Sequence, residues 1–192
     1  LSVVEAAGAG EGNQDSVAIT APTFTASAVD GYTSAVTYAL ALEDGAASGL
    51  ETTVGSHAIT LVVSGDGQTV TGQYDGTNVA FTVSIVGGEV VLTSNVAVEH
   101  ANEVQAGDAD DDTLDINGLV NLVSTVTVTD GDNDEVVGST NTETALNLEF
   151  ADTDPTVTVT AAATVGNLSV VEAAGAGEGN QDSVAITAPT FT

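Results

Sequence analysis

The sequence predicts an all-β fold, a sandwich of short antiparallel strands. Three observations carry this prediction. Val and Thr together supply 57 of the 192 residues, and their β-branched side chains fit a pleated sheet better than a helix. Apolar and polar residues alternate with period two over several stretches, and no long amphipathic helix pattern is visible. Gly- and Asp-rich turn signals punctuate these stretches every ~8–12 residues, the spacing of an immunoglobulin-like β-sandwich.

The elements follow in order. Short strands are expected at residues 2–5 and 16–20. Val36-Thr-Tyr-Ala-Leu-Ala-Leu42 alternates and ends at the turn signal Glu43-Asp-Gly45. Ala58-Ile-Thr-Leu-Val-Val63 opens a meander. Its next strand is 68–74, reached through Asp66-Gly67, a pair that favours a tight hairpin. Asp75-Gly76 leads into Val79-Ala-Phe-Thr-Val-Ser-Ile85, and Gly87-Gly88 turns the chain into Glu89-Val-Val-Leu-Thr93. Residues 95–106 are expected to hold one helical turn. Later strands are expected at 119–129, 144–150 and 156–160. With four Phe, three Tyr and no Trp, the core must be mainly aliphatic.

The charge balance excludes whole classes of function. The chain has no Lys or Arg against 16 Asp and 12 Glu, a formal charge of −28. A nucleic-acid backbone needs cations to neutralise it, so nucleic-acid binding is excluded. Docking of a basic patch on anionic lipid is excluded as well. So is chemistry that needs a catalytic Lys, an Arg clamp or a phosphate-loop Lys. Only His57 and His100 can form a side-chain ion pair. A hydrophobic content of 42% separates the chain from a disordered acidic tail. Cysteine is absent, so there is no disulfide and no thiolate metal site. No apolar run reaches the 18 residues of a membrane span. The first residues carry no basic signal-peptide region and read as the middle of a longer protein.

Residues 1–25, LSVVEAAGAGEGNQDSVAITAPTFT, recur unchanged at 168–192, a period of 167 residues. A period of this size is that of a domain, so the sequence reads as one full repeat, 1–167, followed by the start of the next, 168–192. The alternative frame takes about 26–192 as the folded unit. A cyclic repeat has no phase in sequence alone.

The acids cluster in loops. Asp130, Asp132 and Asp134 occupy positions 1, 3 and 5 of a loop leaving a strong strand. Asp108, Asp110 and Asp112 repeat that spacing, and Asp152 and Asp154 form a third cluster. Glu5, Glu11 and Asp15, with their duplicates Glu172, Glu178 and Asp182, form a more dilute fourth. Carboxylates at alternate positions of a turning loop converge on one point, and Ca²⁺ takes six to eight oxygens in a forgiving geometry. With no Lys or Arg to relieve the repulsion, several Ca²⁺ ions are expected at these clusters. Mg²⁺ fits less well, because it keeps its waters and demands strict octahedral geometry. The 130–134 loop is not an EF-hand: Glu135 stands where that loop needs Gly, and Asn141 where it needs the bidentate Glu.

Other chemistry is poorly supported. His57 and His100 sit in no nucleophile or metal-ligand pattern and read as structural. Paired carboxylates suggest glycoside hydrolysis, but seven aromatics in 192 residues are too few to line a sugar cleft. The Thr-x-Thr stretches read as strand filling rather than a flat ice-binding face. Gly8, Gly10 and Gly12 precede no helix and make no nucleotide loop. No catalytic residue is expected, and neither is a small-molecule substrate.

The pattern as a whole resembles the large tandem extender repeats of bacterial RTX adhesins, the giant type I-secreted biofilm proteins. Its carriers are Leu1-Ser-Val-Val-Glu-Ala6, Tyr38-Ala-Leu-Ala-Leu42 with Gly49-Leu50, Phe81-Thr-Val-Ser-Ile85, Val90-Val-Leu92 and residues 97–100. Val126-Thr-Val-Thr-Asp-Gly-Asp-Asn-Asp134 and Phe150-Ala-Asp-Thr-Asp-Pro155 complete them. Asn133 stands where the family pattern has Gly. The resemblance implies a non-enzymatic, Ca²⁺-stiffened spacer on the bacterial cell surface, monomeric, whose partners are the neighbouring repeats of its own chain. It implies that Asp152 and Asp154 serve a junction with Glu172, and that Asp130, Asp132 and Asp134 serve a loop site. The competing expectation is a β-sandwich adhesion module that binds a glycan or a host protein.

Overall fold

A computed structural model describes residues 1–5, 13–43, 45, 47–100, 113–138, 142–152, 157–168 and 183–188. The chain divides into two compact units, Leu1–Thr153 and Asp154–Thr192. Among the described residues there is no helix, and the first unit is built from strands alone.

Among the described residues of the first unit thirteen strands follow one another: β1 Ser2–Val4, β2 Gln14–Ala18, β3 Tyr32–Leu42, β4 Ala47–Glu51, β5 Ala58–Val63, β6 Thr69–Tyr74 and β7 Asn78–Val86. The rest are β8 Glu89–Ser94, β9 Thr113–Asp115, β10 Val120–Asp130, β11 Glu135–Val137, β12 Thr142–Ala145 and β13 Glu149–Ala151. They form a six-stranded sheet in the order β2-β8-β7-β6-β5-β4, a second sheet centred on β10, and a short sheet β1-β13-β9. The arrangement is the expected sandwich of antiparallel sheets, with one exception: β1 runs parallel to β13.

The expected meander is β5 to β8. Alternation places Ile59, Leu61, Val70, Val83, Val90 and Leu92 in the core, each at most 2% exposed. The β5–β6 turn is held by Asp66, whose Oδ1 accepts hydrogen bonds from Ser64 Oγ and the Gln68 N–H at 2.6 and 3.0 Å. A bulge interrupts β6–β7, since Gly72 faces Phe81 and Gln73 faces Val79. Ala80 is the extra residue, which is why Ala80 and Phe81 are consecutive yet both fully buried.

In the second sheet β3 pairs with β10 over eleven residues, from Leu42 opposite Val120 to Tyr32 opposite Asp130. The other edge of β10 is shared by β12, along residues 121–124, and β11, along residues 127–129. Leu40 and Val120 face the six-stranded sheet in a common core with Leu50, Val98, Ile116, Leu148 and Phe150. Phe81 and Phe150 meet at a centroid distance of 4.9 Å.

Several expectations change. The strand expected at 144–150 is two strands. β12 pairs with β10 and β13 pairs with β1 and β9, because the chain changes sheet at residues 146–148. The change is fixed by the Leu146 N–H on Val120 O at 2.9 Å and the Leu148 N–H on Asn117 Oδ1 at 2.7 Å. Residues 157–160 lie in no named strand. Val157 and Val159 are 73% and 55% exposed, so their alternation does not mark a buried face. The described part of the expected helical turn, 95–100, holds no helix; it bends at Val96 and forms an isolated bridge from Val98 to Thr52. β4, β9 and β11 were not expected from the sequence. Each is short: β4 and β11 pair along the longer β5 and β10, and β9 pairs with the equally short β13.

In the second unit Thr164 and Thr187 form an isolated bridge, the Thr187 N–H donating to Thr164 O at 3.1 Å.

Candidate metal centre

The sheet register assembles an acidic site at one end of the β3–β10 ladder. Tyr32 opposes Asp130, so Asp30, two residues before Tyr32, reaches the loop that follows β10. Carboxylate oxygens of Asp30, Asp130 and Asp132 all lie within 4.8 Å of one another. Asp30 and Asp130 line a shallow recess of about 210 Å³ together with Gly31, Tyr32, Thr33 and Gly131.

The loop itself is tightly tied. Asp130 Oδ1 accepts the Asp134 N–H at 2.9 Å, the Asp130 N–H donates to Asp134 O at 3.1 Å, and the Asn133 N–H donates to Asp130 O at 3.3 Å. Asn133 adopts a left-handed φ of 72°. Asn is among the few non-Gly residues that tolerate this conformation, so the Asn that replaces the expected Gly keeps the turn. Gly131 permits the close approach of Asp30: a Cβ on residue 131 would lie 2.6 Å from Asp30 Oδ2. A hydrogen bond shared with the Asp132 carboxyl holds the Asp130 carboxyl below the ordinary carboxylate range. The backbone N–H groups of Asp134 and Asp132 add to this.

Among the expected ligands the structure therefore joins Asp130 to Asp132. Asp134 closes the same loop through its backbone. The third carboxylate is Asp30, which the sequence reading missed. Its only local signal is the Asp30-Gly31 turn before an alternating strand, and nothing in the sequence pairs that strand with residues 120–130. Two donor oxygens on opposite sides of one Ca²⁺ stand about 4.8 Å apart, twice a typical bond of about 2.4 Å. The observed spread is that of a group which one such ion can bridge.

The remaining expected ligands lie elsewhere. Asp15 accepts the N–H groups of Ser2 and Ser16, each at 2.9 Å, and so ties β1 to β2. Glu5 is buried. Its Oε1 accepts the Val98 N–H at 3.0 Å and lies 3.1 Å from His100 Nε2. Burial raises the Glu5 pKa. The Val98 N–H and His100 oppose that rise, and the negative charge of Asp152 adds to it. Asp152 follows β13, whose Ala151 carbonyl accepts the Glu5 N–H at 2.9 Å. Asp108, Asp110, Asp112, Asp154 and Glu172 lie outside the described residues. The other histidine, His57, pairs through Nδ1 with Asp75 Oδ1 at 2.9 Å. It stacks on Tyr74 at a centroid distance of 6.0 Å, beside a recess of about 490 Å³.

Fold and site together define an all-β sandwich module with an acidic loop centre at one end of its second sheet. The chain belongs to the family described as Domain of unknown function (DUF5801), whose model matches residues 2–143. No curated protein and no solved structure matches it.

Proposed function

We propose that the chain is a Ca²⁺-dependent structural extender of a bacterial cell-surface adhesin. It is a tandem module of a secreted protein that stiffens with Ca²⁺ and projects an adhesive end from the cell. The observation that carries this reading is the convergence of Asp30, Asp130 and Asp132 in a chain with no Lys or Arg. Three carboxylates so close repel one another; the proton that Asp130 and Asp132 share relieves part of this, and with no Lys or Arg in the chain a cation from solution is the natural source of the rest. Extracellular modules bind Ca²⁺ with dissociation constants of about 10⁻⁴–10⁻³ M. At ~10 mM Ca²⁺ one such site stabilises the fold by about 1.4–2.7 kcal/mol. Several sites would rival the roughly 5–15 kcal/mol net stability of a whole domain. The 25-residue sequence repeat supports the tandem part of the reading, with neighbouring repeats as the partners and each chain monomeric.

The deciding experiment is thermal unfolding with Ca²⁺ and then with excess chelator. A melting temperature that rises with Ca²⁺ and falls in chelator supports the proposal; one that barely moves refutes the Ca²⁺ dependence. Small-angle scattering of a two-repeat chain tests the spacer role, which requires a longer particle with Ca²⁺ than without.

The second reading, a glycan- or protein-binding adhesion module, draws on the recess beside His57 and Tyr74. A glycan array probed with the chain and with Tyr74→Ala tests it. Binding lost in the variant would favour this reading over the spacer.

A further inference from the structure

The segment that recurs at the end of the chain is the segment that completes the first unit. Of this segment, residues 2–4 lie along β13 and residues 14–18 along β8. Val3 pairs with Phe150 and is 3% exposed. β2 pairs with all of β8 except its last residue, Ser94, whose N–H donates to Asn13 O at 2.9 Å. The hydrogen bonds that hold the segment's ends are made mostly by its backbone: Glu149 N–H to Leu1 O, Glu5 N–H to Ala151 O and Ile19 N–H to Gly88 O, each 2.9 Å. Gln14 Nε2 adds a bond to Thr93 Oγ1 at 3.1 Å. The α-amino group of Leu1 donates to Asn147 O at 2.9 Å, and a peptide N–H, as Leu168 carries, can donate there equally. Every residue that makes these contacts recurs unchanged in 168–186.

We propose that the edge formed by β8 and β13 is an exchange surface, and that its partner is residues 168–186 of a second copy of this chain. The invading segment finds the same core pocket at Val170 that Val3 fills, and the same backbone donors and acceptors. The contact is heterologous: residues 168–186 of one molecule enter the body of another, so reciprocal exchange closes a dimer and one-way exchange builds a ring or a filament. In the intact protein the resident segment holds the site through its tether, worth an effective concentration in the millimolar range. Exchange becomes visible when the resident segment is impaired. The surface does not depend on the Ca²⁺ reading, since Asp30, Asp130 and Asp132 take no part in these contacts.

The test uses full-length chains. An acceptor carrying Val3→Asp and Val170→Asp has both segments spoiled, and a milder acceptor with Val3→Ala and Val170→Ala guards against loss of the fold. Each is mixed with wild-type chain, in Ca²⁺ and in chelator, and the mass is read by light scattering. A 1:1 complex that weakens at least about tenfold when the donor carries Val170→Asp supports exchange. Absence of a complex with both acceptors, or a complex indifferent to Val170→Asp in the donor, overturns it.

Discussion

Glu5 Oε1 lies 3.1 Å from His100 Nε2 across 95 residues of chain, with both side chains nearly buried, 6% and 7% exposed. In a chain without Lys or Arg, imidazole is the only side-chain base that can partner a buried carboxylate. This one locks β1 to the segment after β8. Removing the ring leaves Glu5 with the Val98 N–H and the repulsion of Asp152. His100→Ala is therefore expected to cost about 1–3 kcal/mol, the usual cost of stranding a buried polar group. Denaturant unfolding of the two chains measures it.

The same residue sets a pH dependence. Burial raises the Glu5 pKa above its ordinary 4.5. The folded state therefore binds this proton more tightly than the unfolded state. The stabilising contribution is fully present below the unfolded value and is lost as pH rises through the folded one. Melting temperatures of wild type and Glu5→Gln, taken in chelator across this window, are expected to differ in slope. Wild type should lose stability relative to the variant as pH rises. Parallel curves would remove Glu5 as the cause.

At the acidic centre, two substitutions act from different sides. Asp30→Asn removes one carboxylate charge, and Gly131→Ala places a methyl group 2.6 Å from Asp30 Oδ2. Both are expected to weaken Ca²⁺ binding by roughly tenfold or more, a charge-count and geometry effect. In chelator Asp30→Asn should melt no lower than wild type, because a source of repulsion is gone. Calorimetric Ca²⁺ titration with paired melts distinguishes these effects from simple unfolding.

The loop turn rests on Asn133 at φ 72°. Asn133→Gly should keep both the melting temperature and Ca²⁺ affinity close to wild type. Asn133→Val should cost about 1–2 kcal/mol, the cost of a left-handed conformation for an ordinary side chain, and should loosen the site. Chemical denaturation of the three chains orders them.

Gly72 lies under the ring of Phe81, where a Cβ would come within 2.3 Å of Phe81 Cε1. Phe81 cannot retreat, because Phe150 packs on it at 4.9 Å. Gly72→Ala is expected to cost about 1–3 kcal/mol, the range for overpacking, with no change in Ca²⁺ affinity. A variant as stable as wild type would show that the two rings can repack.

Much of the meander was legible because it is local. Residues 58–93 carry both their alternation and their turn residues, so strand, turn and face are written in one stretch. The pairing of β3 with β10 joins residues some ninety positions apart, and no local pattern announces it. For that reason Asp130 and Asp132 were found as candidates and Asp30 was not. The sheet change at 146–148 was hidden for a related reason. Leu146 and Leu148 continue the alternation of one strand, while the hydrogen bonds that redirect it come from Val120 and Asn117.

The sequence by itself determined the all-β class, the meander, the aliphatic core, the duplicated segment and a formal charge of −28 with no Lys or Arg. These follow from composition and from periods of a few residues, which the chain carries without folding. The tertiary structure decided which loop acids meet, which acid each histidine finds, and that β1 and β2 pair with β13 and β8. Those facts depend on register between strands distant in sequence. Register is set by which apolar faces can be buried together, a property of the assembled sheets that no single stretch contains.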